Sequence, residues 1–233
     1  MAGNKSLGDA KVAQQDEFYT RYEDIQKELN HYTKQLTGKT ILCNCDDPFE
    51  SNFCKFFLRN FNHLKLKRLI CTSYSGSPFL GTKISLFDED DQPVTNHHGY
   101  VLDVDEVPMA NGRGVSDKDI DDLLHSKKLK RLEGNGDYKS KECVEYLEQA
   151  DVCITNPPFS QGRKFLLFLI EHKKKFLILG NPNALHYQEI FPLVKENRIW
   201  LGFKSMSSDM YFHVPDDYKK WLVENKKEKS GYV

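Results

Sequence analysis

The chain has 233 residues, enough for one large domain with a modest appendage, and its 39% hydrophobic and 29% charged content is ordinary for a soluble globular protein. Lys+Arg (33) nearly balance Asp+Glu (34), which excludes a polyanion-binding role carried by bulk charge. No run of 18 apolar residues is present, the N-terminus has no apolar signal core, and six scattered cysteines suit reduced thiols, so a cytoplasmic protein without membrane attachment is expected.

Residues 1–15 are small and polar and read as a loose arm. Tyr22, Ile25, Leu29, Tyr32 and Leu36 recur near helical spacing and predict a helix over about 22–36, closed by Gly38. Lys39–Asn44 reads as a strand, Asp46-Asp47-Pro48 as a turn, Asn52–Asn60 as a strongly apolar helix and Leu66–Thr72 as a second strand. Cys43 and Cys45, one residue apart on this strand-like stretch, are expected on one face, without the second ligand pair that zinc needs.

Residues 73–113 break the rhythm. Lys83–Phe87 and Gly99–Val104 look like two strands around the acidic turn Asp88–Pro93, a hairpin insertion of about 73–113. His97-His98 beside it lack spaced partners, so no metal site is expected. Alternation then resumes: a short helix capped by Ser116, a strand over Leu129–Glu133, a helix over about 139–149, a strand over 151–155 and a helix over about 160–171. A strand over Lys175–Leu179, a helix over about 184–196 and strands over Arg198–Phe203 and Met210–Val214 follow. This alternation predicts an α/β sheet, largely parallel and covered on both faces, with an antiparallel strand at the edge where the last two strands are joined by a short link. One domain over 16–215 and a charged tail over 216–233 are expected.

In open α/β sheets ligands sit beyond the carboxyl ends of the strands, and three such ends carry suggestive groups. After the first strand, Asp46 and Asp47 followed by Pro48, Phe49 and a helix start suit the amino group of a small molecule, and suit an N-cap and turn equally well. Gly134-Asn135-Gly136-Asp137 lets the backbone approach a ligand, with Asp137 as acceptor for an adenine amino group; a hairpin-like turn explains it nearly as well. The third end is Asn156-Pro157-Pro158-Phe159. Neither proline has an N–H, so the loop cannot continue a ladder. Asn156 offers a side-chain acceptor, Pro157 a backbone acceptor and Phe159 a flat face, which together suit a planar group bearing an exocyclic NH2, against the alternative of a Pro-rich turn with a buried Phe. Lys127–Arg131 and Lys173–Lys175 are the basic clusters, each a candidate phosphate contact or a solvated face, and Tyr211 and Phe212 are either stacking residues or core.

Asn156-Pro-Pro-Phe159 matches the catalytic motif of amino-group methyltransferases that use S-adenosylmethionine. Together with Asp16–Thr20, Cys43–Pro48, Ser51–Phe53 and Ile199–Gly202 it resembles the EcoRI-type DNA adenine-N6 methyltransferases over roughly residues 15–215. The resemblance implies a Rossmann-like S-adenosylmethionine-dependent methyltransferase fold acting on double-stranded DNA, with the target adenine flipped out of the stack, in a restriction-modification type of system. It implies that Phe18, Tyr19 and Thr20 line the methionine end of the cofactor, that Asp46 or Asp47 meets its amino group with Pro48 and Phe49 shaping the pocket, and that Asp137 meets its adenine. Asn156, Pro157, Pro158 and Phe159 would hold the target base. Two departures stand out: Glu50–Phe53 replaces the usual Gly-rich turn, and the second strand ends Cys71-Thr-Ser-Tyr74 with no ribose-binding carboxylate, leaving Ser73 or Tyr74 for that role. Methylation of RNA or of a protein glutamine, and a non-catalytic DNA-binding remnant, are the alternatives. The family order also implies a recognition region after the core, and fewer than 20 residues follow the last predicted strand.

Overall fold

A computed structural model of the chain describes residues 19–75, 98–108, 114–126, 128–158, 160–204 and 212–213. In chain order it contains β1 (Tyr19–Thr20), α1 (Tyr22–Leu29), a 3-10 turn (Asn30–Tyr32), α2 (Thr33–Leu36), β2 (Thr40–Asn44), α3 (Asn52–Asn60) and β3 (Arg68–Ser73). There follow β4 (Tyr100–Val104), α4 (Asp117–Leu124), β5 (Leu129–Arg131), α5 (Lys141–Gln149), β6 (Val152–Thr155), α6 (Gly162–Glu171), β7 (Lys175–Ile178), a 3-10 turn (Pro182–His186), α7 (Phe191–Lys195) and β8 (Phe212–His213).

Six strands form one sheet in the order β5-β4-β3-β2-β6-β7. β2 pairs parallel with β3 and β6, and β6 pairs parallel with β7. β4 is antiparallel to both its neighbours, so β5 regains the direction of β2 and β4 alone is reversed. The sheet is therefore mostly parallel, as expected for a Rossmann-like fold, and its edge pairing at β5 is antiparallel. That pairing is not made by the last two predicted strands. Tyr100–Val104, read as half of a hairpin insertion, is a full member of the main sheet against β3; its expected partner 83–87 lies outside the described residues.

Side chains alternate between two cores, which is why helices cover both faces. Ile41, Cys43, Leu69, Cys71, Leu102, Val104 and Ile154 pack with α1, α3 and α4. Leu42, Ile70, Val101 and Cys153 pack with α5 and α6. α3 contributes Phe53, Cys54, Phe56, Phe57 and Leu58, all buried. Each large side chain so buried stabilises by roughly 1.5–3 kcal/mol before entropy is charged against it. All six cysteines are free thiols, five of them buried. Cys45 departs from the expected shared face: its φ of 70° ends the strand, and it packs with the α5–α6 core while Cys43 lies in the other.

Arg198–Phe203 forms no strand. Its end is captured by a helix side chain: Phe203 N–H and Lys204 N–H donate to the two oxygens of Glu28 at 2.7 and 2.8 Å, and the Phe203 ring stacks on His31 with centroids 3.4 Å apart. Within the predicted strand Met210–Val214, Phe212–His213 is described and pairs antiparallel with Tyr19–Thr20 as a separate two-stranded sheet. No helix among the described residues is long and apolar enough to cross a membrane.

Candidate active site

Five strands point the same way, so the segments after β2, β3, β5, β6 and β7 share one end of the sheet, where open α/β sheets bind their ligands. β2 and β6 are direct neighbours, with Leu42 opposite Cys153. This register brings the Asp46-Asp47 turn and the Asn156 loop together although more than 100 residues separate them in sequence.

The left-handed backbone of Cys45 folds the chain over the end of β2, and Asp46 N–H then donates to Thr72 O at 3.0 Å. The Asp46 side chain turns inward and is 5% exposed. It accepts from Ser51 Oγ at 2.6 Å, from Thr155 Oγ1 at 2.5 Å and from the Asn156 backbone N–H. Burial pushes its carboxyl up to about 7 while these three donors hold it down. Ser51 is also the N-cap of α3, accepting from Phe53 N–H and Cys54 N–H, a cap worth about 1 kcal/mol. Asp47 is buried as well; its Oδ1 accepts from Phe49 N–H at 2.8 Å and its carbonyl accepts from Ser51 N–H at 2.8 Å, so the turn expected at Asp46-Asp47-Pro48 is present around a buried acid.

The N-terminal motif reaches the same place. Asn52, the first residue of α3, donates its Nδ2 to Thr20 O at 2.7 Å. Thr20 is 3% exposed, and its Oγ1 is buried with no hydrogen-bond partner among the described residues. The amide nitrogen of Asn44, at the end of β2, is in the same condition. A buried hydroxyl or amide without a partner costs about 1–3 kcal/mol, a cost that a polar ligand reaching these atoms would relieve. Tyr19 is described through its backbone in β1, and Phe18 lies outside the described residues.

Gly136 holds the next loop across the end of β3. It adopts φ +76°, and a side chain there would collide with the Ser73 carbonyl. Ser75 N–H donates to Asn135 O at 2.8 Å, fixing the approach. Asp137 is exposed and accepts from Lys139 N–H at 2.9 Å, which is turn chemistry leading into α5 with its Ser140 cap. Tyr138 is buried and packs edge-on against Phe165 and Phe168 of α6, with centroids 4.9 and 5.1 Å apart. The loop after β5 is thereby anchored to the helix that follows the Asn156 loop.

In that loop Pro157 is buried, and Asn156 and Pro158 are partly buried. Pro158 O accepts from Gln161 N–H at 2.9 Å and starts α6, whereas no described group donates to Pro157 O. Phe159 lies outside the described residues.

Of the basic clusters, Lys128 and Lys174 lie at the other end of the sheet. Lys128 pairs with Asp105 at 3.0 Å near the amino end of β3, and Lys174 caps the end of α5 through Glu148 O and Ala150 O. Ser73 Oγ accepts from Tyr100 N–H at 3.1 Å, while Tyr74 is 43% exposed. His98 Nδ1 lies 3.0 Å from Leu132 O, and His97 and Tyr211 are outside the described residues. Asn44, Ser51, Asn52 and Thr155 lie within or beside the motifs that carry the resemblance and Tyr138 follows Asp137, yet none of the five has a role of its own there. Ser51 was open to discovery as the cap of a predicted helix; the others carry no local signal.

The sequence matches the profile of the family described as adenine-specific methyltransferase EcoRI over residues 6–233. It is 37% identical over 232 residues to the Type II methyltransferase M.EcoRI of Escherichia coli, covering 99% of this chain and 65% of that protein. Two mycoplasma proteins, the Type II methyltransferases M.MgeORF184P of Mycoplasma genitalium and M.MpnI of Mycoplasma pneumoniae, are each 36% identical over 210 residues, covering 90% of this chain and 54% of theirs. The chain thus spans between 54% and 65% of the length of these relatives. No solved structure matches it significantly.

Proposed function

The chain belongs to the EcoRI family of adenine-specific methyltransferases, and from that membership we propose that it methylates the N6 amino group of adenine in double-stranded DNA, in the cytoplasm, as a Type II modification enzyme. The observation that carries the reading is the joining of the Asn156 loop to the acidic turn after β2 through one buried carboxylate, Asp46. A base-holding loop and a cofactor turn must be held against each other for group transfer, because reacting atoms need fixed separation and alignment.

S-adenosylmethionine supplies an electrophilic methyl group on a sulfonium when bound. The orphaned Thr20 Oγ1, on the residue whose carbonyl holds Asn52 at the start of α3, fits its polar methionine end. Thr20 with Phe18 and Tyr19, Asp47 with Pro48, and Asp137 would hold it. Of the two adjacent acids Asp47 is the one assigned to the ammonium group, since the Asp46 oxygens already serve three protein donors.

Asn156 and Pro157 act on the adenine. A nucleobase amino group is conjugated with its ring and is a poor nucleophile. Accepting its two protons, through the Asn156 side chain and the Pro157 carbonyl, favours a pyramidal nitrogen whose lone pair is free to attack. These acceptors strengthen as positive charge develops on nitrogen, so they lower the transition state more than the ground state. The Pro157 carbonyl, which no described group occupies, supports this assignment. Flipping the base out of a duplex costs a few kcal/mol, and stacking on the Phe159 ring offsets ~1–3 kcal/mol of it.

The test is incubation of the chain with methyl-labelled S-adenosylmethionine and, in parallel, duplex DNA of mixed sequence, total RNA and a protein mixture, followed by digestion and separation of nucleosides and amino acids. Label in N6-methyladenine is the expected result. Label confined to RNA or to protein glutamine, or cofactor binding with no labelled nucleoside, overturns the proposal.

A further inference from the structure

We infer that Asp46 is the positioning residue of this site, a buried carboxylate that locks the Asn156 loop to the turn after β2 and is not itself a ligand of cofactor or base. The inference rests on the reading of the Asn156 loop as the base-holding loop.

The loop has few places to be held. Pro157 and Pro158 carry no N–H, so the Asn156 N–H is the one backbone donor between Thr155 and Phe159. That donor goes to Asp46. Thr155, the preceding residue, points its hydroxyl at the same carboxylate, and the opposite oxygen takes Ser51 Oγ. Holding the peptide nitrogen of Asn156 restrains the position from which its side-chain amide and the Pro157 carbonyl project. A carboxylate that never meets the base therefore restrains both base acceptors.

This role needs hydrogen-bond geometry and not charge. The Thr155 hydroxyl faces two acceptors, Asp46 Oδ2 and the Asn44 carbonyl, with one proton to give. A neutral group at position 46 satisfies the arrangement by donating to Thr155 Oγ1, while Thr155 donates to Asn44 O and the remaining oxygen accepts from Ser51 Oγ and the Asn156 N–H. A ligand for the cofactor ammonium, by contrast, has to be an anion. Asparagine separates the two roles.

The experiment takes the full chain and its Asp46→Ala, Asp46→Asn and Thr155→Val variants through three readouts: S-adenosylmethionine affinity by calorimetry, methylation rate on duplex DNA, and hydrogen exchange of the Asn156 amide. A displacement of the base acceptors by about 1 Å is worth on the order of 10²-fold in rate, so Asp46→Ala is expected to lose about that much turnover. Its cofactor affinity stays within about threefold, its Asn156 amide exchanges at least about tenfold faster, and Asp46→Asn recovers at least about tenfold of the lost rate, each following from a positional role alone. Thr155→Val shows the same pattern in weaker form and carries the test if Asp46→Ala does not fold. Cofactor affinity falling in step with turnover in both Asp46 variants assigns Asp46 to the cofactor and overturns the inference. An unchanged Asn156 amide overturns it equally. A wild-type chain that methylates no DNA, with the amide still responding to Asp46→Ala, defeats the proposed function and leaves the lock standing.

Discussion

Asn52 Nδ2 donates to the Thr20 carbonyl across 2.7 Å, tying β1 to the first turn of α3. Through this contact the segment before the first long strand is held against the helix that follows the acidic turn. Asn52→Ala removes a side chain–backbone hydrogen bond worth ~1 kcal/mol and frees Thr20 to move. The expected outcome is S-adenosylmethionine binding weakened about tenfold at most, in line with a loss of this size, with turnover at saturating cofactor little changed. Calorimetric titration beside steady-state methylation measures both; a variant that binds normally but turns over slowly contradicts the placement of Thr20 with the cofactor.

Asn156→Ala separates binding from chemistry. The side chain is assigned to one proton of the adenine amino group, an interaction that grows stronger as the transition state forms. Its removal is expected to leave cofactor affinity unchanged and to lower turnover by about 10²-fold or more, as loss of one preorganised polar group does elsewhere. Single-turnover methylation with cofactor and DNA both saturating reads the chemical step, and near-normal rates there refute the role.

The strand–helix alternation and the three suggestive strand ends are legible in the sequence because they rest on short-range signals. Ile25 and Leu29 recur at helical spacing, Ile41-Leu42-Cys43 forms an apolar run after a glycine stop, and two prolines mark the end of β6. What is not legible depends on partners far apart in sequence. Thr155 and Asp46 are 109 residues apart, and nothing local marks either as the other's partner. Ile199–Phe203 has the composition of a strand, but Glu28, 175 residues away, takes the Phe203 amide that a ladder would need. The left-handed turn at Cys45 is equally hidden, because cysteine carries no preference for it; after that turn the Asp46 side chain is buried against Ser51 and Thr155.

Tyr138 anchors the loop after β5 by packing edge-on against Phe165 and Phe168. Tyr138→Ala leaves a cavity between that loop and α6, and is expected to destabilise the fold by about 3 kcal/mol. Tyr138→Phe keeps the ring contacts and is expected to stay within about 1 kcal/mol of wild type, since the change conserves volume. Denaturant midpoints for the two variants check this. Equal losses in both would transfer the stabilisation from the ring to the hydroxyl.

Asp46 also imposes a pH dependence on stability. Burial pushes its carboxyl up to about 7, Asp47 adding to the rise and the Ser51, Thr155 and Asn156 donors opposing it. The thiols that feel its charge, Cys43, Cys54, Cys71 and Cys153, are all pushed up by burial and stay neutral. In the unfolded chain an aspartate ionises near pH ~3.9. Between about pH 4 and 7 the unfolded state releases a proton that the folded state keeps, so this contribution to stability is complete below the window. It is lost as pH rises, by at most about 1.4 kcal/mol per pH unit, and levels off above about 7. Wild type alone will not display it cleanly. Carboxylates with lowered values, such as Asp119 held down by the Ser116 hydroxyl, contribute with the opposite sign at the acid end. The informative quantity is the difference from Asp46→Asn, which does not titrate: the variant is expected to gain stability relative to wild type steadily from pH 4.5 to about 7 and then hold a constant margin. Denaturation curves at half-unit intervals give that difference directly. A margin that stays flat through the window would mean that Asp46 is ionised in the folded protein throughout, and that its three donors outweigh its burial.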